Sequence, residues 1–443
     1  MFLTLEKFTG TAAAMFNTGN PLTFIFVAGV FIAGCYGSSK ISNRNLAYLY
    51  RKEINPIHPK AVIYHLSDSA SRIFLSIESK ELLFRREYSA EEFTAEFNVT
   101  YKAYPSPEAQ VIIDSGTIRV VHASELNMNS RELRQEKIIA MADLKLRRPV
   151  KCVLEISVTD LNRNQESSVY MTVDKESAFS RENFRVNSAV SGEPLFRNQI
   201  TPGEAIAVKF PAMKQGKGIV YYYSRKFQLP HPPFSVHGSP PFEYRPDSVF
   251  SLDPDSQNMV YPRLVRPGFY HFIADTTQRE GLTLYRFSDE FPQCTSPEQL
   301  LEAIRYFTTR QEYNELMLEA GKKKALDNFW LKIGGSQERA RSLIKSYYSR
   351  VQDANELFTA HAEGWKTDRG MIYIIFGPPD AVYRSLNTES WVYGEEGSFL
   401  SFNFLFVKVK NPFSANDYQL QRSPVYKNTW YRAVEAWRQG VVY

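Results

Sequence analysis

The sequence predicts a mainly β protein that ends in a smaller α+β domain. Aromatic residues make up 14% of the 443 residues, with 26 Tyr and 31 Phe, and flat rings pack well on pleated sheets. Between residues 61 and 175, apolar and polar residues alternate repeatedly with period two, which is typical of strands with one buried face. After residue 295 the apolar spacing changes to three and four, which is typical of helices.

Length, composition and charge bound the class of protein. Single cores rarely grow beyond about 250 residues, so 443 residues predict several domains. The hydrophobic content of 43% and charged content of 23% are those of an ordinary globular protein. The net charge is only +5, and the longest Lys/Arg run is residues 322–324. We therefore expect no nucleic-acid partner.

Residues 59–178 are predicted to form an antiparallel β-sandwich of immunoglobulin-like size. The turn at residues 160–164, rich in Asp and Asn, is typical of a hairpin connection. Each run of alternating residues predicts one strand, and the apolar positions of four such runs are Ile73, Leu75, Ile77; Phe97, Val99, Tyr101; Leu154, Ile156, Val158; and Val169, Met171, Val173.

Residues 179–290 are predicted to form a second β domain, interrupted by a Pro-rich insert at residues 228–246. Proline lacks the amide donor, so this insert cannot join a central sheet. Two interpretations remain open for it. It is either an ordered surface loop or a partner-docking edge of polyproline type.

Residues 291–443 are predicted to form the α+β domain, with helices over 296–362, a sheet over 371–410 and a C-terminal helix over 428–439. Ser296 and Pro297 suit the cap and the first position of a helix. The long amphipathic helix that follows Ser336 is expected to end at Gly364, with positive φ. Residues 371–376 are then expected to form a strand.

The run Gly364-Trp365-Lys366-Thr367-Asp368-Arg369-Gly370 is interpreted as a structural corner. We expect Trp365 to bury its ring there, and Thr367 and Asp368 to fix the turn through local hydrogen bonds. Gly370 would give the backbone freedom to enter the next strand, which Gly377, Pro378 and Asp380 would close. In the alternative interpretation, Asp368 and Arg369 are exposed and bind an acidic or sugar partner.

This run resembles the signature of GWxTD-domain proteins. The resemblance extends to the helical region before it, including residues 297–308 and 348–355, and to residues 430–438 near the end. It implies an exported protein of double-membraned bacteria, with no catalytic residue assigned to the motif. The motif positions are Gly364, Trp365, Thr367, Asp368, Arg369, Gly370, Gly377, Pro378 and Asp380.

The N-terminus predicts export and lipidation. Residues 22–33 are apolar but shorter than the roughly 20 residues that cross a bilayer. Ala33 and Gly34 before Cys35 match a lipobox. We expect a signal peptide over 1–34, a lipid on Cys35 that attaches the chain to the membrane, and a linker through residue 58. With no acid in 36–40, we expect the periplasmic face of the outer membrane. In the alternative, a hydrophobic segment packs on a soluble domain.

The sequence lacks the common enzyme motifs, namely the Walker loop, Gly-x-Ser-x-Gly, His-Glu-x-x-His and Cys-x-x-Cys. Three cysteines cannot form a four-thiolate zinc site. Cys152 lies in an apolar alternation and is predicted to be buried, although one pair with Cys294 stays possible. His231 and His237 have no adjacent acids, and His361 is interpreted as a helix-end histidine. We expect no catalytic residue, metal or cofactor.

These observations predict a non-catalytic, lipid-anchored envelope protein that binds partners as an assembly subunit in an envelope protein complex. The alternative is an enzyme that hydrolyses envelope polysaccharide, or a carbohydrate-binding module. A hydrolase needs two carboxylates about 5 to 10 Å apart beside aromatic platforms. A partner-binding protein needs an exposed apolar patch.

Overall fold

The computed structural model describes residues 40–86, 92–124, 136–214, 216–224, 226–236 and 242–441. The predicted signal peptide, Cys35 and His237 lie outside these ranges. Within them, five antiparallel sheets and six α-helices confirm the predicted β-sandwich and α+β fold class. In the same part of the chain, no helix combines the length and the apolar character that crossing a bilayer requires.

The first sandwich has seven strands in two sheets, ordered β1-β2-β5 and β4-β3-β6-β7. The predicted hairpin at 160–164 is confirmed, because Asn164 takes a φ of 54° between the paired strands β6 and β7. Cys152 is buried in the core, as predicted. The strands are β1 (Lys60–His65), β2 (Ala70–Glu78), β3 (Phe93–Tyr104), β4 (Asp114–Ser124), β5 (Lys137–Lys145), β6 (Lys151–Asp160) and β7 (Gln165–Asp174).

The second sandwich repeats this topology. Its sheets are ordered β12-β9-β8 and β11-β10-β13-β14, so the first, second and fifth strands of each sandwich share one sheet and the other four share the second. The narrower immunoglobulin-like assignment stays a prediction. The strands are β8 (Arg185–Ser188), β9 (Ile206–Lys209), β10 (Gly218–Tyr223), β11 (Ser248–Leu252), β12 (Met259–Val260), β13 (Gly268–Ile273) and β14 (Leu282–Arg286).

The Pro-rich insert between β10 and β11 connects the second sandwich to the C-terminal region. The backbone amide of Ser423 donates to the carbonyl of Pro233 at 3.0 Å, and the Arg422 guanidinium donates to the carbonyl of His231 at 3.1 Å. Aromatic rings of the insert pack across the same boundary: Phe234 on Tyr431, and Phe242 on Tyr223, Phe269 and Phe413. The described part of the insert is therefore an ordered connector.

The C-terminal region contains all six helices and one sheet, ordered β15-β16-β17-β18. Ser296 caps the first helix by accepting from the amide of Gln299, as its sequence predicts. The helices are α1 (Pro297–Ala303), α2 (Arg310–Leu318), α3 (Lys322–Gly334), α4 (Gln337–Phe358), α5 (Asp368–Phe376) and α6 (Tyr426–Arg438). The strands are β15 (Ala381–Arg384), β16 (Thr388–Tyr393), β17 (Phe402–Lys408) and β18 (Tyr418–Leu420).

The predicted strand over residues 371–376 is wrong, because these residues belong to helix α5, and the sheet begins at Ala381 instead of residue 371. Every residue from Asp368 to Ile375 is buried. A helix buried on all sides is apolar all round, so its sequence has no helical period and cannot be distinguished from a buried strand.

The predicted helical stretch 296–362 is four separate helices, and the last of them, α4, ends at Phe358. Thr359 is its C-terminal cap, so the expectation that Gly364 would end this helix with positive φ is wrong. Gly364 instead opens a 3-10 turn over Gly364–Lys366. The helix ends before Gly364 because the turn at Gly364 packs closely against the backbone of α4 at Ala354 before α5 begins.

Residues 41–50, expected to be part of a linker, are instead packed into the core of the C-terminal region. Ile41, Leu46, Ala47 and Tyr50 are buried there. The amide of Leu46 donates to the carbonyl of Val382 in β15 at 2.8 Å. The sequence does not indicate this packing because the partner residues lie more than 300 positions later in the chain.

Candidate functional site

The motif at 364–370 is a corner held against helix α4. Asn355, near the end of α4, is buried. Its Oδ1 accepts a hydrogen bond from the backbone amide of Trp365 at 3.2 Å. Its Nδ2 donates to the carbonyl of Pro292 at 2.7 Å. One side chain thus fixes the position of the turn relative to both the helix and the segment that precedes α1.

Both glycines of the motif are required by close backbone contacts. A Cβ atom at Gly364 would overlap the carbonyl oxygen of Ala354 in α4. A Cβ atom at Gly370 would overlap the carbonyl oxygen of Gly364 itself. Neither residue is needed for positive φ, so the predicted role of Gly370 in entering a strand is wrong, and close packing of helix α5 on the turn replaces it.

Trp365 and Thr367 stabilise the corner from inside. Trp365 is 1% exposed, as predicted, and its carbonyl accepts a hydrogen bond from the hydroxyl of Tyr306 at 2.6 Å. The hydroxyl of Thr367 donates to the carbonyl of Gly364 at 2.7 Å and accepts from the amide of Gly370 at 3.1 Å. Thr367 is therefore the N-cap of α5.

Asp368 links helix α5 to strand β18 and the segment after it. Its Oδ2 accepts from the backbone amide of Leu420 at 2.8 Å and from the guanidinium of Arg422 at 3.1 Å. Burial raises the pKa of Asp368, while Arg422 and the Leu420 amide oppose the increase. The carboxylate is internal, and it ties together two elements that are about 50 residues apart.

Arg369 is 2% exposed and lies beneath the sheet. Its guanidinium donates to the carbonyl of Asn416 at 2.9 Å and contacts Glu389 at 3.4 Å. The guanidinium carbon also lies 4.3 Å from the ring centroid of Tyr418, within range of a cation–π interaction. Because Asp368 and Arg369 are both buried, the alternative interpretation that they form an exposed binding surface is wrong.

Glu389, in β16, is the centre of the buried charge network. It is 0% exposed. Burial alone would raise its pKa, but Arg384 and Arg369 hold the pKa at about 2. Its carboxylate accepts hydrogen bonds from three side chains besides Arg369: Tyr50 at 2.6 Å, Trp391 at 2.7 Å and Arg384 at 2.9 Å.

Glu389 was not predicted from the sequence, although one signal for it exists. Glu389 and Trp391 are two positions apart in a strand, so they share a face. An acidic residue on the buried face of a strand requires partners. The partners Tyr50 and Arg384 themselves have no sequence signal, because they come from distant elements.

Gly377, Pro378 and Asp380 connect helix α5 to the sheet. Gly377 has a φ of 81°, and its carbonyl accepts from the hydroxyl of Tyr393 at 2.9 Å. Pro378 follows in the turn before β15. The carboxylate of Asp380 accepts from the amide of Gly394 at 2.8 Å. It therefore holds the base of the loop that joins β16 to β17.

A cleft of about 960 Å³ lies where the two sandwiches meet the C-terminal region. This volume is in the range of small-molecule sites, which are often found between domains. Charged side chains line it on every side. The sandwiches contribute Lys151, Asp174, Glu176, Arg181, Glu182, Arg279 and Glu280, and the C-terminal region contributes Arg369, Arg384, Lys408 and Lys410.

Comparison with protein families identifies the C-terminal part of the chain. Residues 268–439 match the family described as the GWxTD domain. This part of the chain is a GWxTD domain. The matched GWxTD domain begins at residue 268, whereas the sequence analysis began it at 291. It therefore includes strands β13 and β14. Packing supports this extension, because the ring of Phe269 in β13 lies 5.0 Å from that of Phe413.

No curated protein matches this GWxTD domain-containing chain. Among solved structures, the crystal structure of red sea bream transglutaminase is similar over 54% of this chain, with 9% sequence identity and a TM-score of 0.18. The matched part of our chain covers 33% of the transglutaminase chain, which is about a third of that structure.

The histidines and cysteines considered from sequence have separate surroundings, and the Sγ of Cys294 lies 4.0 Å from the Nδ2 of Asn355. His361 contacts Asp417 at 3.7 Å. Burial lowers the pKa of His361. His231 lies on the Pro-rich insert. Cys152 and Cys294 are free thiols, and burial raises the pKa of each to about 12.

Proposed function

We propose that this protein is a non-catalytic, lipid-anchored envelope protein that binds a protein partner as an assembly subunit at the outer membrane. The lipid would be attached to Cys35, and the protein would face the periplasm. One observation carries the partner-binding part of this proposal. Phe399 and Leu400 lie side by side in the loop between β16 and β17 and are 108% and 88% exposed.

Two adjacent, fully exposed apolar side chains are costly for a free protein. Burying a side chain of this size typically stabilises by about 1.5 to 3 kcal/mol relative to leaving it in water. Exposed apolar patches commonly mark interaction sites. The loop of Phe399 and Leu400 therefore supports docking into an apolar pocket of a partner.

The GWxTD motif holds this loop in position. Asp380, a motif residue, accepts from the amide of Gly394 at the start of the loop. The hydroxyl of Tyr383 donates to Glu396 at 3.0 Å. A fixed base reduces the conformational entropy that binding would otherwise cost. In this proposal Asp380 acts indirectly, by positioning the exposed apolar tip.

Charge next to the tip favours one kind of partner. Glu395 and Glu396 are exposed directly before Phe399 and Leu400. Acidic side chains at the rim of a docking site select a partner with a basic rim. We therefore propose a protein partner with an apolar pocket bordered by Lys or Arg.

Photo-crosslinking in native membranes tests the partner. A photo-reactive amino acid replaces Phe399 in one variant. In the control it replaces Val190, which is 88% exposed on the second sandwich. We expect one dominant crosslinked protein from position 399 only, lost when Leu400→Ser is added. Equal crosslinking from both positions, or none from 399, would contradict docking through this tip.

Lipid attachment is tested separately. Cys35→Ala should abolish lipid labelling and release the protein from membranes, while Cys152→Ala should change neither. Retention of lipid label in Cys35→Ala would rule out Cys35 as the attachment point. Partner crosslinking in detergent separates the two results, because it requires the tip but not the lipid.

The alternative function, action on envelope polysaccharide or binding of it, is supported by the cleft. Acidic side chains line its sandwich walls together with Tyr170, Tyr244 and Tyr285. Burial raises the pKa of Glu182, which would suit a general acid. Release of reducing ends from isolated envelope polysaccharide, lost in Glu182→Gln, would support this alternative over the non-catalytic proposal.

A further inference from the structure

We propose that the wall of the cleft formed by residues 359–418 binds the phosphate or carboxylate group of a small anionic ligand. This wall is basic. Its lining residues from 359 to 418 include four cations, Arg369, Arg384, Lys408 and Lys410, and no acid. The acids of the cleft all belong to the two sandwiches. An anionic group entering the cleft would thus be attracted to one side.

Lys408 at the end of β17 is the central residue of this site. It is partly buried, and within the described ranges its Nζ has no hydrogen bond or ion pair with a protein group. By contrast, Lys151 across the cleft is paired with Asp174 at 2.6 Å. A partly buried ammonium group without a counter-ion loses solvation that nothing replaces, so Lys408 would gain from an added anion.

The arginines behind Lys408 reinforce its charge. Arg369 and Arg384 share the single carboxylate of Glu389, so this group of residues keeps a net positive charge. Burial lowers the pKa of Lys408 to about 8. The charges of Lys151, Arg384 and Arg369 add to this decrease, and the charge of Asp174 opposes it. At pH 7 the ammonium form still predominates, surrounded by like charges that an anion would offset.

The opposite wall supplies groups that suit the rest of a ligand. Arg279 is exposed in the loop between β13 and β14, with its guanidinium carbon 4.6 Å from the ring centroid of Tyr244. Stacking of this kind orients a guanidinium toward an anion. Tyr170 and Tyr285 add apolar ring faces and hydroxyl groups. The cleft volume is sufficient for a ligand much larger than one phosphate.

Isothermal titration of the full chain with pyrophosphate and, separately, with citrate tests the site. We expect saturable binding of at least one anion, weakened about tenfold or more in Lys408→Met. Arg279→Ala, in an exposed loop, should weaken it too and cannot act by unfolding the core. Lys427→Met, an exposed lysine on α6, is the matched control and should bind like the parent protein.

The two probes distinguish the ligand group. Preference for pyrophosphate assigns a phosphorylated ligand, and preference for citrate a carboxylated one. Binding should weaken as the pH rises through about 8, because Lys408 loses its proton, and this pH dependence should be absent in Lys408→Met. No saturable binding of either probe, or equal binding by Lys408→Met and the parent, would overturn the proposal. The result does not depend on the Phe399 tip, which lies outside the cleft lining.

Discussion

The hydroxyl of Tyr50 donates a 2.6 Å hydrogen bond to the carboxylate of Glu389, across 339 positions of the chain. Both side chains are buried. Tyr50 lies outside the matched GWxTD domain, yet it contributes to the charge network at the centre of that domain. The domain is therefore complete only with a segment that precedes both sandwiches.

Glu389→Gln should destabilise the protein strongly. The variant leaves Arg369 and Arg384 buried with a neutral partner, and breaking a buried ion pair typically costs about 3 to 5 kcal/mol. Tyr50→Phe removes two hydrogen bonds, one donated to Glu389 and one accepted from Arg384, and should cost about 1 to 3 kcal/mol. Urea unfolding measures both, with exposed Glu395→Gln as the control. Equal unfolding midpoints for Glu389→Gln and Glu395→Gln would contradict a stabilising role.

Trp365→Ala should lower the melting temperature by several degrees or more. Removing a buried Trp ring typically costs about 3 to 5 kcal/mol. Tyr431→Ala removes a ring that is 52% exposed and should have a much smaller effect. Calorimetry on both variants provides the comparison. Full stability of Trp365→Ala with loss of partner crosslinking would instead assign Trp365 to binding.

Gly364→Ala should destabilise far more than Gly321→Ala. The new methyl at 364 would overlap the backbone of α4, whereas the nearest atom to a Cβ at Gly321 is 3.8 Å away, in Lys324. Neither site has positive φ, so the comparison isolates close packing. Thermal unfolding of both variants measures the difference, and similar melting temperatures would show that α4 and the turn can separate at little cost.

Acid should destabilise the protein partly through His271. Its Nε2 donates to the carbonyl of Arg279 at 2.8 Å, and its Nδ1 accepts from Thr283 at 2.9 Å. Burial lowers its pKa from 6.5 to about 4. Between these pH values the unfolded chain binds a proton that the folded chain does not, so stability falls as pH falls, by about 1.4 kcal/mol per pH unit.

His271→Gln keeps a donor and an acceptor but does not titrate. Chemical unfolding at pH 7 and pH 5 should therefore show a smaller loss of stability for the variant than for the parent protein. Because the comparison is made within each protein, any general destabilisation by the substitution cancels. Equal losses in the two proteins would show that His271 titrates alike in the folded and unfolded states.

The sandwiches were predictable from sequence because their signal is local. Each strand alternates apolar and polar residues, and turn residues such as Asn164 mark the connection between β6 and β7. Helix α5 was not predictable, because burial on every side removed its period. A threonine hydroxyl can form local hydrogen bonds both in a turn and at a helix N-cap. Thr367 alone therefore did not indicate that a helix begins there.

The candidate sites were less predictable than the fold. The burial of Trp365 follows from its size and its place in a turn, but the partners of Asp368 and Arg369 come from β16, β18 and the loops around them. The cleft combines Lys408 with residues from both sandwiches. The residues of the cleft and of the charge network come together by long-range packing. No spacing in the sequence indicates which of them will be neighbours.

The packing of residues 41–50 against β15 and β16 also constrains the order of folding. Tyr50 and its partner Glu389 are 339 positions apart, so a chain that enters its folding compartment from the N-terminus presents Tyr50 well before Glu389. Both sandwiches precede Glu389 in the chain and can fold in that interval. Residues 41–50 still lack the C-terminal residues on which they pack. The GWxTD domain is thus the last part to close, and until it closes the chain exposes an apolar segment that a chaperone can recognise.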